Sequence, residues 1–272
     1  MEEKRVKFSK HGPVRFLGHL DVMRYFQKAV RRAGIPVMYT EGYSPHQIMS
    51  FAQPLSVGAT SDGEYMDMRL SESMEDTEVM ERFHRVMNEG FEVMGTVTLP
   101  ERSPKAMTAV SACEYALTFR EGYEPLTDWA GELAMFLTES DNLPAVKKTK
   151  KGEKAIDMKP LIYRWEIAGC GGRIQGFDPE ATVLHVMLSA GSSDNLKPSM
   201  IMESFLRSIG AIGESEGIPA AAVMINRIDT CMDELQGQER YVVPMIETER
   251  DNPMAFGRVR ITCQGLAYGH HK

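Results

Sequence analysis

"IMSFAQPLSVGATSDGEYMDMRL" (Ile48–Leu70) decides how this chain is read. Its two ends, "IMSFAQPL" and "EYMDMRL", are strand-like, and the Gly, Ser and Asp of "SVGATSDG" between them are the residues of a hairpin loop. On the N-terminal side, "RVKFSK" alternates with a period of two and predicts a strand, after which "HGPVRF" turns into a helix over about 20–33. In that helix Leu20, Met23, Phe26, Val30 and Ala33 recur at helical spacing and are expected to face the core. Arg24, Lys28, Arg31 and Arg32 then fall on the solvent side, and Gly34 with Pro36 ends the helix. On the C-terminal side, Met74, Val79 or Met80, Phe83 and Met87 predict a second helix over 73–88, stopped by Gly90, and "FEVMGTVTL" returns as a strand. The order β-α-β-β-α-β is that of a split βαβ, or ferredoxin-like, unit.

Beyond the loop "PERSPKAMTAVSA" nearly the same order recurs. "CEYALTFR" predicts a strand, "PLTDWAGELAMFLTES" a helix, and "LIYRWEIAG" with "ATVLHVMLSA" a hairpin across "CGGRIQGFDPE". "KPSMIMESFLRSIG" predicts a helix with Pro198 in its first turn, and "AAVMINRIDTCM" closes the unit as a strand. The expected fold class is α+β: two tandem ferredoxin-like (βαββαβ) halves, residues 1–105 and 106–235, with antiparallel sheets, plus a C-terminal extension over 236–272. Each half should place both helices on one face of its sheet, leaving the other face for the companion half or a ligand. The halves share no visible sequence identity, so the repeat is one of structure.

Composition sets the class of molecule. With 43% hydrophobic and 25% charged residues, 272 residues should bury a substantial core. The start "MEEKRVKFSK" is charged and the longest apolar run, near Ala220 to Ile225, is far too short to span a bilayer, which predicts a cytoplasmic protein with no membrane partner. Cys113, Cys170, Cys231 and Cys263 are scattered without ligand spacing, so no metal, cofactor or disulfide is expected. Twenty methionines form no cluster and read as adaptable core filling. A net charge of −7 argues against a generic nucleic-acid binder, but the charge is unevenly spread. Residues 1–60 hold nine Lys/Arg against four Asp/Glu, residues 61–140 six against seventeen, and residues 147–164 seven against two. Two basic windows thus flank an acidic middle.

The stretch from Arg15 to Leu70 carries four local motifs. His19, Leu20 and Asp21 open the helix; Arg31, Arg32, Gly34 and Pro36 mark its exit; Gly42, Tyr43, Pro45 and His46 form a turn; Glu64, Tyr65 and Asp67 lie in a strand. In these the chain resembles the radical-SAM-linked (radical-SAM-associated) protein family, a bacterial domain of unknown function found alone or joined to the C-terminus of radical SAM proteins. Ser44 stands where that family usually shows Asn, and Gln47 where it shows a second Pro, which loosens the turn. The likeness continues weakly through "KKTKKGEKAIDMKPLI" (147–162) and then fades. The resemblance implies a partner, a radical SAM enzyme that is often a predicted cobalamin binder, and supplies no activity for the chain itself. At the level of fold alone, the tandem order with a basic helix also resembles the repeat-processing endoribonucleases of CRISPR systems, which cut RNA without metal.

Candidate sites follow from residue chemistry. His46, on a loop, has the pKa range of a general acid or base, and the competing role is to secure the turn beside Pro45. Catalysis would need a second group such as His19, and whether the two meet depends on the path of "PVMYT": run back along the helix it brings them together, left as loop it holds them apart. Arg24, Lys28, Arg31 and Arg32 have the spacing of a phosphate-tracking stripe or of a plain solvated face. Lys147, Lys148, Lys150 and Lys151, in a hairpin-like segment, would extend the same surface, and Tyr43 would stack on a base or enter a partner's pocket. Trp129 and Trp165 are expected in the core, and the terminal "GHHK" is too short for a metal site. The function expected is a non-catalytic companion of a radical SAM enzyme that binds RNA or an RNA-containing particle and presents it for modification. The rivals are a protein-docking module without nucleic acid and a metal-independent endoribonuclease using His46.

Overall fold

The computed structural model describes residues 2–125, 128–149, 152–191, 194–213, 216–219, 221–246 and 254–261. The first part of the chain forms β1 (Glu2–Lys10), α1 (His19–Arg32), β2 (Met49–Phe51), β3 (Thr60–Leu70), α2 (Asp76–His84) and β4 (Phe91–Thr98). β1 lies between β3 and β4, antiparallel to both, and β2 pairs with the far end of β3. A one-turn helix, α3 (Ala106–Ala109), leads into the second part. There β5 (Val110–Phe119), α4 (Trp129–Glu139), the hairpin β6 (Pro144–Thr149) and β7 (Gly152–Asp157), β8 (Ile162–Gly169), β9 (Thr182–Ser189), α5 (Pro198–Ser208) and β10 (Val223–Gln236) follow in turn. β5 lies between β9 and β10, and β8 pairs outside β9, all antiparallel.

The strand order therefore repeats, β4-β1-β3-β2 and then β10-β5-β9-β8. A short parallel pairing, Thr60 and Ser61 of β3 with Asn226 and Arg227 of β10, joins the two sets edge to edge. With β11 (Glu239–Pro244) on β10 and β12 (Val259–Ile261) on β11, the described residues form a mixed α+β protein built on one ten-stranded, mostly antiparallel sheet. The two strand sets are joined edge to edge, because β3 and β10 offer edges that hydrogen-bond to each other. Among its described residues the extension expected over 236–272 contributes β11 and β12 to the sheet, and the hairpin β6–β7 forms a small sheet of its own.

Strand parity sorts the core. Val6, Phe8, Met66, Met68 and Leu70 pack on Val22, Phe26, Ala29 and Val30 of α1 and on Val79 and Phe83 of α2. Leu20, expected in this core, is 64% exposed. At 100° per residue it lies about 120° around the axis from Phe26, so the run of threes that suggested it had already drifted off the buried face. In the second part, Cys113, Tyr115, Leu117, Leu184, Val186 and Leu188 pack on Leu133 of α4 and Phe205 of α5, with Trp129 and Trp165 in the same cluster. The opposite parity on those strands does not face water. Met254 packs with Ala116, Val183 and Ile228, and Val242 and Val259 pack with Ala112, Met187 and Cys231. Among the described residues no helix is long and apolar enough to cross a membrane, and no His, Cys, Asp and Glu group has the arrangement of a metal site.

Candidate functional site

The turn singled out in the sequence is the tip of a short ribbon that leaves the sheet beside Leu70. Val37 bridges Leu70, the Met38 amide donates to the Arg69 carbonyl at 2.8 Å, and the Ile48 amide donates to the Met38 carbonyl at 2.8 Å. Further out, Tyr39 pairs with Gln47 and the Thr40 amide donates to the His46 carbonyl at 2.9 Å. Gly42 takes φ +109°, a conformation other residues rarely adopt, which lets the tip reverse. The His46 amide donates to Thr40 Oγ1 at 3.1 Å, and the same hydroxyl lies 3.0 Å from His46 Nδ1. One threonine thus binds both the backbone and the ring of His46 and closes the turn. Tyr43, between Gly42 and Ser44, is fully exposed.

His19 is elsewhere. Its ring meets Phe51 edge-on at 5.9 Å, and Phe51 is the register partner of Met66. The ribbon with His46 departs four residues further along β3, at Leu70, which is about 13 Å at the rise of a strand. The two histidines do not form an acid–base pair, and His46 lies on an exposed tip.

On α1, Arg24, Lys28, Arg31 and Arg32 are all exposed. Arg24, Lys28 and Arg31 share one stripe by their spacing. Arg24 lies 3.4 Å from Asp21, and Arg31 bonds the Gln27 carbonyl within the helix. Arg32 turns away to bond the Val86 carbonyl at 3.1 Å and lies 5.9 Å from the Tyr25 ring. It lines a groove between α1 and α2 with Glu78, Glu81, Arg82 and Arg85, where Arg82 pairs with Glu78 and Arg85 with Glu81. In the second basic window, Lys147 is half-buried and donates to the Asn195 carbonyl at 3.0 Å. Lys148 lies in β6 opposite Glu153 of β7. Lys150 and Lys151 lie outside the described residues.

The sequence reading missed a set of buried charges at the junction of the two strand sets. Lys7 pairs with Asp229 of β10 at 2.8 Å, and the Tyr65 hydroxyl donates to the same carboxylate at 2.7 Å. Arg227 of β10 bonds both oxygens of Glu64, at 2.8 and 3.1 Å, and its other nitrogen bonds the Pro54 carbonyl and the Tyr115 hydroxyl. Arg5 grips Asp67 with two parallel bonds of 2.8 and 3.0 Å, and Asp67 also accepts the Ala106 amide. Burial pushes the Asp229 carboxyl above its ordinary range, against the opposing pull of Lys7, and holds the Tyr65 phenol well above its usual value with help from the Asp229 charge. Charged residues at inward positions of "EKRVKFSK" and "GEYMD" were the available signal, because lone strands with such residues must find partners across the sheet.

The profile of a bacterial family described as an uncharacterized protein conserved in bacteria (DUF2344) matches residues 4–198. The chain belongs to the DUF2344 family. No curated protein matches it. The DUF2344 match takes in α1, the Tyr43 ribbon and β3, and ends at the first residue of α5. Glu64 and Lys7 are therefore inside the matched stretch, whereas their partners Arg227 and Asp229 lie beyond it.

A second charged cluster, centred on buried His185 and Glu114, sits within the DUF2344 stretch. His185 of β9 bonds Glu114 of β5 through Nε2, and its Nδ1 lies 3.3 Å from Glu166 of β8. Burial opposes charge on this ring, but the hydrogen bonds to Glu114 and Glu166 outweigh it and raise the His185 pKa above the ordinary value. Phe256 covers the cluster, its ring stacked 3.6 Å from that of His185 and its amide donating to Glu114 at 2.6 Å.

Proposed function

We propose that this DUF2344 protein is a non-catalytic companion that binds single-stranded or looped RNA through the exposed face of α1 and the Tyr43 ribbon. We take its two strand sets as tandem ferredoxin-like units that present this surface. The observation that carries the reading is Tyr43: a fully exposed aromatic ring on a tip held closed by Thr40 and His46. A protein gains nothing in folding from such a ring, whereas unpaired bases stack on exposed aromatics without regard to sequence. Arg24, Lys28 and Arg31 lie on the helix leading to the ribbon, exposed and able to hold phosphates. A catalytic role finds less support, since His46 is engaged by Thr40 and His19 packs on Phe51. The partner that would modify the RNA is, on the resemblance carried by His19 to Asp67, a radical SAM enzyme.

The test is RNA binding measured across a salt series. Wild type should bind single-stranded RNA at low salt, with log affinity falling by about 0.7 per log unit of salt for each phosphate held. Replacing Arg24, Lys28 and Arg31 by Glu should weaken binding and flatten that slope together. No detectable RNA binding at low salt would pass the surface to a protein partner, for which exposed Leu20 and Phe16 supply apolar contacts.

A further inference from the structure

A cleft of about 380 Å³ opens where the two strand sets meet, and no residue of the Tyr43 ribbon lines it. Arg15 and Phe16 line it from the turn after β1, Arg120 from the end of β5, Phe177 from the β8–β9 connection and Ile225 from β10, with His11 beside them. Its volume lies within the range of small-molecule sites, roughly 300–1,000 Å³. Three features of the lining ask for a ligand of one kind.

First, both arginines lack a carboxylate partner among the described residues. The Arg15 guanidinium lies 4.8 Å from the Phe16 ring centroid, and Arg120 uses Nε to bond the Ala221 carbonyl at 2.9 Å, which leaves its terminal nitrogens for another acceptor. Two arginines beside one cavity without a counter-charge favour an anion. Second, the Phe16 ring is largely exposed, with the guanidinium over it and Phe177 among the other lining residues, so the cleft offers an aromatic contact to a planar group. Third, His11 is only 6% exposed and its Nδ1 has no hydrogen-bond partner among the described residues. Its Nε2 lies 2.7 Å from Asp62, and a carboxylate only accepts, so a proton sits on Nε2; in the Nε2–H tautomer Nδ1 is an acceptor. A buried acceptor without a donor is costly, by about 1–3 kcal/mol, unless something supplies one.

An anion, a planar ring and a hydrogen-bond donor occur together in a nucleotide. We propose that this cleft binds a nucleoside monophosphate unit. The phosphate lies between Arg15 and Arg120, the base lies against Phe16, and a ribose hydroxyl or base N–H donates to His11 Nδ1. The unit comes either from a free nucleotide or from the phosphorylated end of an RNA chain. The inference rests on residues outside α1 and does not depend on the reading of that helix.

Calorimetric titration of the full chain with the four ribonucleoside 5′-monophosphates, the matching nucleosides, and a trinucleotide with and without a 5′-phosphate tests it. At least one monophosphate, or the phosphorylated trinucleotide, should bind, with the phosphate-free counterpart weaker by about tenfold or more, as expected for losing a charge-assisted contact. Tighter binding of the phosphorylated trinucleotide than of any monophosphate would mark the source as an RNA end, and the reverse order a free nucleotide. Arg15→Ala and Arg120→Ala should each lower affinity by a similar factor with an unchanged circular dichroism spectrum. No heat from any of these ligands at millimolar concentration, or equal affinity in wild type and both arginine variants, would overturn the proposal.

Discussion

At the scale of single residues, the Tyr43 tip separates recognition from stability. The ring of Tyr43 touches nothing that holds the fold together, so Tyr43→Ala should leave the urea midpoint unchanged and lower RNA affinity by the loss of one stacked base, about 1–3 kcal/mol. His46 works inside the turn. His46→Asn removes the ring that meets Thr40 Oγ1 but keeps the amide that donates to it, so the loss should be modest, about 0.5–1.5 kcal/mol of local order. Binding by the His46→Asn variant would fall in parallel, because a looser tip presents Tyr43 in more than one orientation. A metal-free RNA-cleavage assay in which wild type cuts and His46→Asn loses a hundredfold would sink the non-catalytic reading, since that is the scale of a lost general acid or base.

At the scale of elements, the alternation of strands and helices was legible because each carries its own period and its own stop signals. The hairpin in "KKTKKGEK" could be anticipated from the pattern of that segment. How the two sets join was not legible, because a parallel pairing of only Thr60–Ser61 with Asn226–Arg227 leaves no pattern longer than two residues. The same holds for the cleft, whose lining comes from segments more than a hundred residues apart. Gly63 shows what the join demands. A Cβ there would stand 2.4 Å from the Asp229 Cα, too close for any side chain, and the Gly63 carbonyl accepts the Thr230 hydroxyl at 2.8 Å. Gly63→Ala must therefore push β10 away from β3. Thermal unfolding should register a loss of at least about 1–3 kcal/mol, the scale of overpacking in a close-packed interior, whereas Gly122→Ala, in a turn with open space, should cost only its backbone strain.

At the scale of the whole molecule, charges buried between strands tie distant segments together, and one of these ties should be readable in the pH dependence of stability. Glu114, His185 and Glu166 come from three neighbouring strands, and Phe256 reaches over them from beyond β11, with Arg164 4.4 Å from the centre of its ring. His185 has a raised pKa in the folded protein, because the hydrogen bonds to the two glutamates outweigh the burial that opposes its charge, whereas the unfolded chain has the ordinary value of 6.5. A base that binds its proton more tightly when folded favours folding wherever it is protonated in both states, so its contribution is full below pH 6.5. Above that value the unfolded chain releases its proton first, and the advantage fades as the pH climbs through the raised folded value. Stability should therefore decline from about pH 6.5 upward by this contribution, the opposite of what a buried carboxylate with a lowered pKa would give. His185→Gln leaves Glu114 buried without its cation and should lower stability at pH 6 by about 3–5 kcal/mol, as for breaking a buried ion pair. Subtracting the variant's urea midpoints from those of wild type at each pH removes the titrating groups that do not touch His185. The difference should shrink as pH rises above 6.5, and a difference that is flat or grows would show that His185 is neutral in the fold.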